Sequence, residues 1–285
     1  MKFIQLTLVF LFLFGGANVF AQSDDLFLGI KLRPEVQALV KEIEKKTGME
    51  IYAEFIDEEE FTLGSSRISN GGQAVIQVDT SLAGNPKKLE AVIAHELLHM
   101  RLRAGGYPTF LFSPTIKTAK GLAQDVEQDN VNSLASMIEH RIFKADMIKF
   151  GLYDANDLAG DIAREARKYR GKADAQGQGA SIDYALAILE YQNPKDIEEV
   201  RKIYEANNWK RSLQEGKAIA DIISQANMQT PKDAENVFLQ CLSILYTKPN
   251  SPFTFKLTPD PSVKVYRQLI IHTAKLNPKK QSQKL

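Results

Sequence analysis

One stretch, AVIAHELLHMRLRAGG at residues 91–106, constrains this chain more than any other. It places His95 and His99 four positions apart, with Glu96 directly after the first histidine. Residues at this spacing share one face of an α-helix, so both imidazoles can bind a single metal ion. Zinc accepts such a pair, and a catalytic zinc keeps one coordination position for water. Glu96 is rotated by about 100° from His95, which suits a general base acting on a zinc-bound water.

The surroundings of the motif predict the elements that carry it. Asn85 suits an N-cap, Pro86 a first helical position and Gly105-Gly106 a helix end, so the motif is expected on a helix. Periodicity predicts a helix at 33–48, strands at 49–56, 61–69 and 73–80, a hairpin turn at Asn70-Gly71-Gly72, a loop at 107–121 and a second long helix from Gln124 to Phe150.

With these elements around His95-Glu96-Leu97-Leu98-His99, residues 33–150 resemble the zincin metallopeptidases, and in particular those with a glutamate ligand, the gluzincins. The resemblance implies that the two histidines bind Zn²⁺, that Glu96 activates water, and that a later helix provides a third ligand. It also implies that a peptide or protein substrate lies extended along an edge strand, expected here at Ala74 to Asp79. Peptides commonly bind in this way, by adding a strand to a sheet.

The third ligand is expected on the helix that contains VNSLASMIEHRIFKADM, residues 131–147, where Glu139 and His140 are neighbours. Adjacent helical residues diverge by about 100°, so only one of them can face the metal easily. Glu139 lies at the margin of the apolar stripe and His140 nearly opposite it, so Glu139 is favoured and His140 is the alternative. The stripe consists of Val131, Leu134, Ile138, Ile142 and Ala145.

Polar residues along the margin of this stripe suggest further roles. Asn132, Glu139 and Asp146 recur at intervals of seven, and such residues can hydrogen-bond a zinc-bound histidine. A competing interpretation makes Glu139 an ordinary ion-pair partner of Arg101 or Arg103. Tyr107 and Tyr153 are within range as donors to a developing oxyanion, although a packing role is the simpler expectation for both.

The N-terminus is typical of a secretory signal peptide. Lys2 precedes an apolar run from Phe3 to Phe14, and Val19-Phe20-Ala21 fits a cleavage site. The apolar run is short for a membrane span of about 20 residues, so a retained anchor is the weaker alternative. We therefore predict a signal peptide at 1–21, a secreted or periplasmic mature protein and no stable membrane insertion.

Composition and patterning divide the rest of the chain. Without residues 1–21, basic and acidic residues are equal in number, which argues against nucleic acid as a partner. The single cysteine, Cys241, excludes an intramolecular disulfide and is expected to be buried and inert. We predict an α+β fold with a zincin-like metallopeptidase domain at 22–153, an all-helical region at 154–276 and a disordered tail at 277–285.

The chemistry of the motif predicts a zinc-dependent metallopeptidase in which His95, His99 and Glu139 bind zinc and Glu96 is the catalytic base. A related possibility is hydrolysis of another amide, such as one in a cell-wall peptide. The alternative from a different class is a secreted binding or scaffold protein that retains a zincin domain with structural zinc and acts through its helical region.

Overall fold

The computed structural model describes residues 26–57, 63–68, 72–113, 124–153, 178–191, 193–247 and 253–275. The predicted signal peptide, the tail at 277–285 and most of the predicted hairpin turn lie outside these ranges. Within them, no helix is both long enough and apolar enough to cross a membrane.

The first half of the chain follows the predicted order of helices and strands. Its elements are α1 (Pro34–Thr47), β1 (Ile51–Ile56), β2 (Gly64–Ile68), β3 (Ala74–Asp79), α2 (Pro86–Ala104), β4 (Thr109–Phe112) and α3 (Gln124–Lys149). The predicted helices and strands are confirmed. The loop prediction is wrong at β4, because this short strand finds its partner far away in sequence, where a local pattern gives no signal.

The described part of the second half contains four helices and then two strands. They are α4 (Gln178–Glu190), α5 (Pro194–Ala206), α6 (Lys210–Gln225), α7 (Pro231–Tyr246), β5 (Phe253–Pro259) and β6 (Gln268–Lys275). The prediction of an all-helical region at 154–276 is therefore wrong for its last part. FTFKLTP and QLIIHTAK are rich in β-branched and aromatic residues, which favour strands, and this signal was missed.

Two three-stranded mixed sheets organise these elements, so the fold is α+β. The first has the order β1-β3-β2, and the second has the order β4-β6-β5. β6 pairs in parallel with β4, so residues from both sides of the predicted boundary at 153 form one sheet.

The first sheet corrects the prediction for the substrate strand. β3, at Ala74–Asp79, is the central strand, with β1 parallel on one side and β2 antiparallel on the other. The prediction that Ala74–Asp79 is an edge strand is wrong, because β1 pairs with the side of β3 that a simple hairpin leaves open. The edge beside α2 is β2.

The long helix α3 contributes to two hydrophobic cores. Its C-terminal part, with Phe143 and Met147, joins the core formed by α1, the first sheet and α2. Its middle part, with Val131, Leu134 and Ile138, packs with α4, α6, α7 and the second sheet. One helix thus connects both halves of the described chain.

Polar contacts fix the ends of the helices around α2. The Asn85 side chain accepts a hydrogen bond from the backbone N–H of Lys88 at 3.1 Å and caps the helix as predicted. Near the first turn, Glu90 accepts bonds from the backbone N–H of Arg33 at 2.6 Å and from its Nη2 at 2.9 Å. Arg33 Nη1 also donates to the carbonyl of Phe150, so one arginine joins α1, α2 and the end of α3.

A close crossing of α4 and α6 depends on Gly216. A Cβ atom there would lie 2.5 Å from the carbonyl oxygen of Ser181 and 2.9 Å from Cβ of Tyr184. We expect Gly216→Ala to lower the free energy of unfolding by about 1–3 kcal/mol, because the overlap is with backbone. Urea unfolding measures this change. Gly84→Ala is the matched control, since a Cβ atom at Gly84 meets nothing within 4 Å. An equal loss of unfolding free energy in both variants would contradict the role of Gly216 in this crossing.

Candidate metal centre

Three histidines from two helices form a compact cluster. His95 and His99 come from α2 and His140 from α3, and one ligand nitrogen of each lies within 4.8 Å of the other two. Nε2 of His95 and Nε2 of His99 are 3.1 Å apart. Tetrahedral zinc with Zn–N bonds of about 2.0–2.1 Å holds two such nitrogens about 3.3 Å apart. The three histidines are therefore close enough to hold a metal ion.

Glu139, the residue favoured by the sequence, lies beside this cluster in a different position. It is buried, and its Oε2 contacts Nδ1 of His99. Because an ionised carboxylate can only accept a hydrogen bond there, Nδ1 of His99 is the donor and its Nε2 lone pair stays available for a metal. The structure thus brings His140, the alternative ligand, together with His95 and His99, and gives Glu139 the position of a residue that orients His99.

The two buried faces of α3 explain this arrangement. The apolar stripe predicted from the sequence gives α3 one buried face, but Ala145, which belongs to that stripe, is exposed. Phe143 and Met147, three and seven residues after His140, are buried against the core that contains α2. These spacings put His140 on the same face as Phe143 and Met147. His140 therefore faces α2, although it lies opposite the predicted stripe.

The other polar residues along α3 also have definite partners. Asp146 pairs with Arg101 of α2, and Asn132 accepts a hydrogen bond from Nε2 of Gln128 at 2.8 Å. Arg103 donates to Ser66 on β2. The predicted alternative of an ion pair between Glu139 and either arginine is not what the structure contains. Of the polar residues spaced by seven, Glu139 is the one that contacts a histidine of the cluster.

Partial removal from water keeps two of the three imidazoles, those of His95 and His140, uncharged. Burial, together with a smaller contribution from the neighbouring His99, lowers the pKa of His95 to about 3. Burial also holds the pKa of His140 well below its usual range, with smaller contributions from His95, His99 and Lys144. Both rings are neutral at pH 7, and a neutral imidazole is the form that binds a metal.

Two further residues on α3 shape the cluster and were missed in the sequence. Ser136 places its Oγ 3.0 Å from Nε2 of His140. The Phe143 ring meets the rings of His95 and His99 edge-on, with centroids 5.3 Å and 4.9 Å apart. Both lie one turn from His140, at positions four before and three after it, so helical spacing was the available signal.

Glu96 lies next to the edge strand of the first sheet. It is buried, with 7% of its surface exposed. A Cβ atom on Gly64 of β2 would lie 2.4 Å from Cγ1 of Val92 and 3.4 Å from Cγ of Glu96. Glycine at this position therefore allows the backbone of β2 to approach the helix face that contains Glu96.

The two tyrosines considered as oxyanion donors have other surroundings. The Tyr153 hydroxyl donates to Oε2 of Glu190 at 2.6 Å, and burial with this bond raises the pKa of Tyr153. Tyr107 packs against both cores. Packing roles account for both. Cys241 is buried as predicted, and burial raises the pKa of its thiol to about 12.

Comparisons with protein-family models, with curated proteins and with solved structures found no match to this chain.

The geometry predicts distinct metal affinities for two neighbouring variants. We expect the parent protein to bind one zinc ion, Glu139→Ala to weaken binding by about 10–100-fold through loss of an orienting contact, and His140→Ala to weaken it more. Competition with a chromophoric zinc chelator measures the affinities. His272→Ala is the control, since its Nε2 contacts Thr258 on β5 and the residue lies outside the cluster. A larger loss in Glu139→Ala than in His140→Ala would contradict the assignment.

Proposed function

We propose that this protein is a zinc-dependent metallopeptidase. The observation that carries the proposal is the convergence of His95, His99 and His140, with the buried Glu96 directly after His95 on α2. A purely structural zinc site is normally closed by four protein ligands, whereas catalytic sites use three and leave one position open. Three histidines with a neighbouring carboxylate match the catalytic pattern.

Zinc fits the donor set. Imidazole nitrogen is a preferred zinc ligand, and the pKa values of His95 and His140 keep these rings neutral and ready to coordinate at pH 7. The contact from Glu139 to Nδ1 of His99 directs Nε2 of that ring toward the cluster. When bound, zinc supplies a Lewis acid that polarises a carbonyl group and makes water more acidic.

Glu96 is the proposed general base. It follows His95 directly, so the helix turns its side chain away from that of His95 by about 100°, which leaves the carboxylate for a bound water rather than for the metal. Its burial beside Gly64 protects the carboxylate from bulk water. In the proposed reaction, Glu96 takes the proton from the attacking water and passes it to the leaving amine.

The edge strand β2 is the strand that we propose binds the substrate. The backbone N–H of Asp79 donates to the carbonyl of Leu63, and the antiparallel register then turns the N–H and C=O groups of Gly64 and Ser66 away from β3. No described strand covers these groups, although the Ser66 carbonyl already accepts a hydrogen bond from Arg103. An extended peptide can pair with Gly64 and with the N–H of Ser66, which supports peptide bonds as the target.

The proposal includes the zincin-like architecture and export from the cytoplasm. The observed order of a helix, a small mixed sheet, the HExxH helix and a later helix supports this architecture. A histidine third ligand departs from the gluzincin pattern that the sequence suggested. Export rests on the signal-peptide pattern at 1–21 and makes extracellular or periplasmic peptides the expected substrates.

Replacement of the proposed base tests this function. We expect Glu96→Gln to retain one zinc ion and to cleave a peptide library about 10²–10⁴-fold more slowly, because glutamine cannot accept the proton. Cleavage is followed by mass spectrometry with zinc content measured in parallel. Glu90→Gln removes a carboxylate from the same helix outside the cluster, and we expect it to lower stability while cleavage persists. Full hydrolysis by zinc-loaded Glu96→Gln would refute the mechanism.

A further inference from the structure

We infer that Arg103 recognises a carboxylate group of the peptide substrate. This inference rests on the proposed function and adds a substrate preference to it. It comes from the position of Arg103 on α2, from the unused donors of its guanidinium group, and from the backbone of β2, which extends from Glu96 to Arg103.

Arg103 shares a helical face with the proposed base. Glu96 and Arg103 are seven residues apart on α2, which is two turns, so their side chains point in nearly the same direction about 10 Å apart along the axis. β2 covers this distance, because Gly64 packs on Glu96 and Ser66 contacts Arg103. A peptide paired with β2 beside Glu96 therefore passes Arg103.

The guanidinium group of Arg103 uses only one of its nitrogens in the described contacts. Nη1 donates to the backbone carbonyl of Ser66 at 2.9 Å and to its hydroxyl at 3.2 Å. Nε is buried and has no hydrogen-bond partner in the described part of the chain. Nε and Nη2 form the edge of a guanidinium group that binds a carboxylate through two parallel hydrogen bonds. A substrate carboxylate would satisfy this buried donor.

Neighbouring arginines show what a purely structural arginine does here. Arg101 pairs with Asp146, and Arg33 pairs with Glu90, although Nε of Arg33 is, like that of Arg103, buried without a hydrogen-bond partner among the described residues. Arg103 has no acidic partner among the residues that the structure describes. A purely structural role, in which Arg103 donates to the Ser66 carbonyl, would explain the contact of Nη1 but not the other nitrogens of the group. The charge and the other donors of Arg103 remain for a ligand.

The separation sets the position of the carboxylate in the substrate. An extended peptide advances about 3.3 Å per residue, so about 10 Å corresponds to two or three residues from the cleaved bond. Both an acidic side chain and the terminal carboxylate of a short peptide have the required chemistry. The experiment below separates these two sources.

Matched peptides provide the test. A cleaved parent peptide is varied so that each position within four residues of the bond carries either Glu or Gln, and each peptide is made with a free or an amidated C-terminus. We expect one carboxylate, two or three residues from the bond, to raise kcat/KM by about 10–100-fold over its uncharged match in the wild-type protein. In Arg103→Gln the two matched peptides should be cleaved at equal rates.

Binding and control variants keep the test independent of turnover. Affinity of the matched peptides for Glu96→Gln and for Glu96→Gln/Arg103→Gln is measured by calorimetry, and the carboxylate preference should appear only in the first. Arg67→Gln, on the exposed face of β2, is the charge-matched control and should keep the preference. Arg103→Lys retains the charge without the two parallel donors and should keep a reduced preference if Arg103→Gln unfolds.

The outcomes separate this inference from the proposed function. If the preference requires a free C-terminus, the group that Arg103 recognises is the terminal carboxylate. If it requires an internal Glu, the recognised group is a side chain. A wild-type protein that cleaves peptides without any carboxylate preference, or an Arg103→Gln variant that keeps the preference, overturns the role of Arg103 alone. A zinc-loaded protein that cleaves no peptide overturns both proposals.

Discussion

The packing of α2 against α3 is the contact on which the candidate metal centre depends, because it brings three imidazoles together at one place, with His99 buried and His95 and His140 half-buried. An isolated buried imidazole loses its proton and leaves a polar nitrogen to be satisfied. Here His95 and His99 meet through Nε2 at 3.1 Å, and Phe143 closes one side of the cluster. A divalent cation satisfies several neutral nitrogens together, so the same desolvation that costs stability prepares the site for a metal.

The position of α3 depends in turn on the C-terminal half. The middle of α3 is held by α4, α6, α7 and the second sheet, whereas its C-terminal part packs on the core around α2. His140 and Glu139 lie between these two regions of packing. The helices and strands after residue 178 therefore support the site physically, although none of their residues belongs to the histidine cluster.

Local patterns in the sequence predicted what depends on neighbours along the chain. The cap at Asn85 and the spacing of His95 and His99 on one helix are such features. The central place of β3, the pairing of β4 with β6 and the approach of His140 all depend on partners distant in sequence. For α3, the prediction assumes a single apolar stripe, whereas the helix packs against two cores. The prediction therefore favours Glu139 as the third ligand, although His140 is the residue that lies with His95 and His99.

A crystal structure of the zinc-loaded protein, with anomalous differences recorded at the zinc edge, tests the metal centre most directly. The packing of α2 and α3 predicts one anomalous peak bonded to ring nitrogens of His95, His99 and His140, with Glu139 against Nδ1 of His99. A peak bonded to the Glu139 carboxylate in place of His140 would contradict the ligand set. No peak near the three histidines would contradict the metal centre itself.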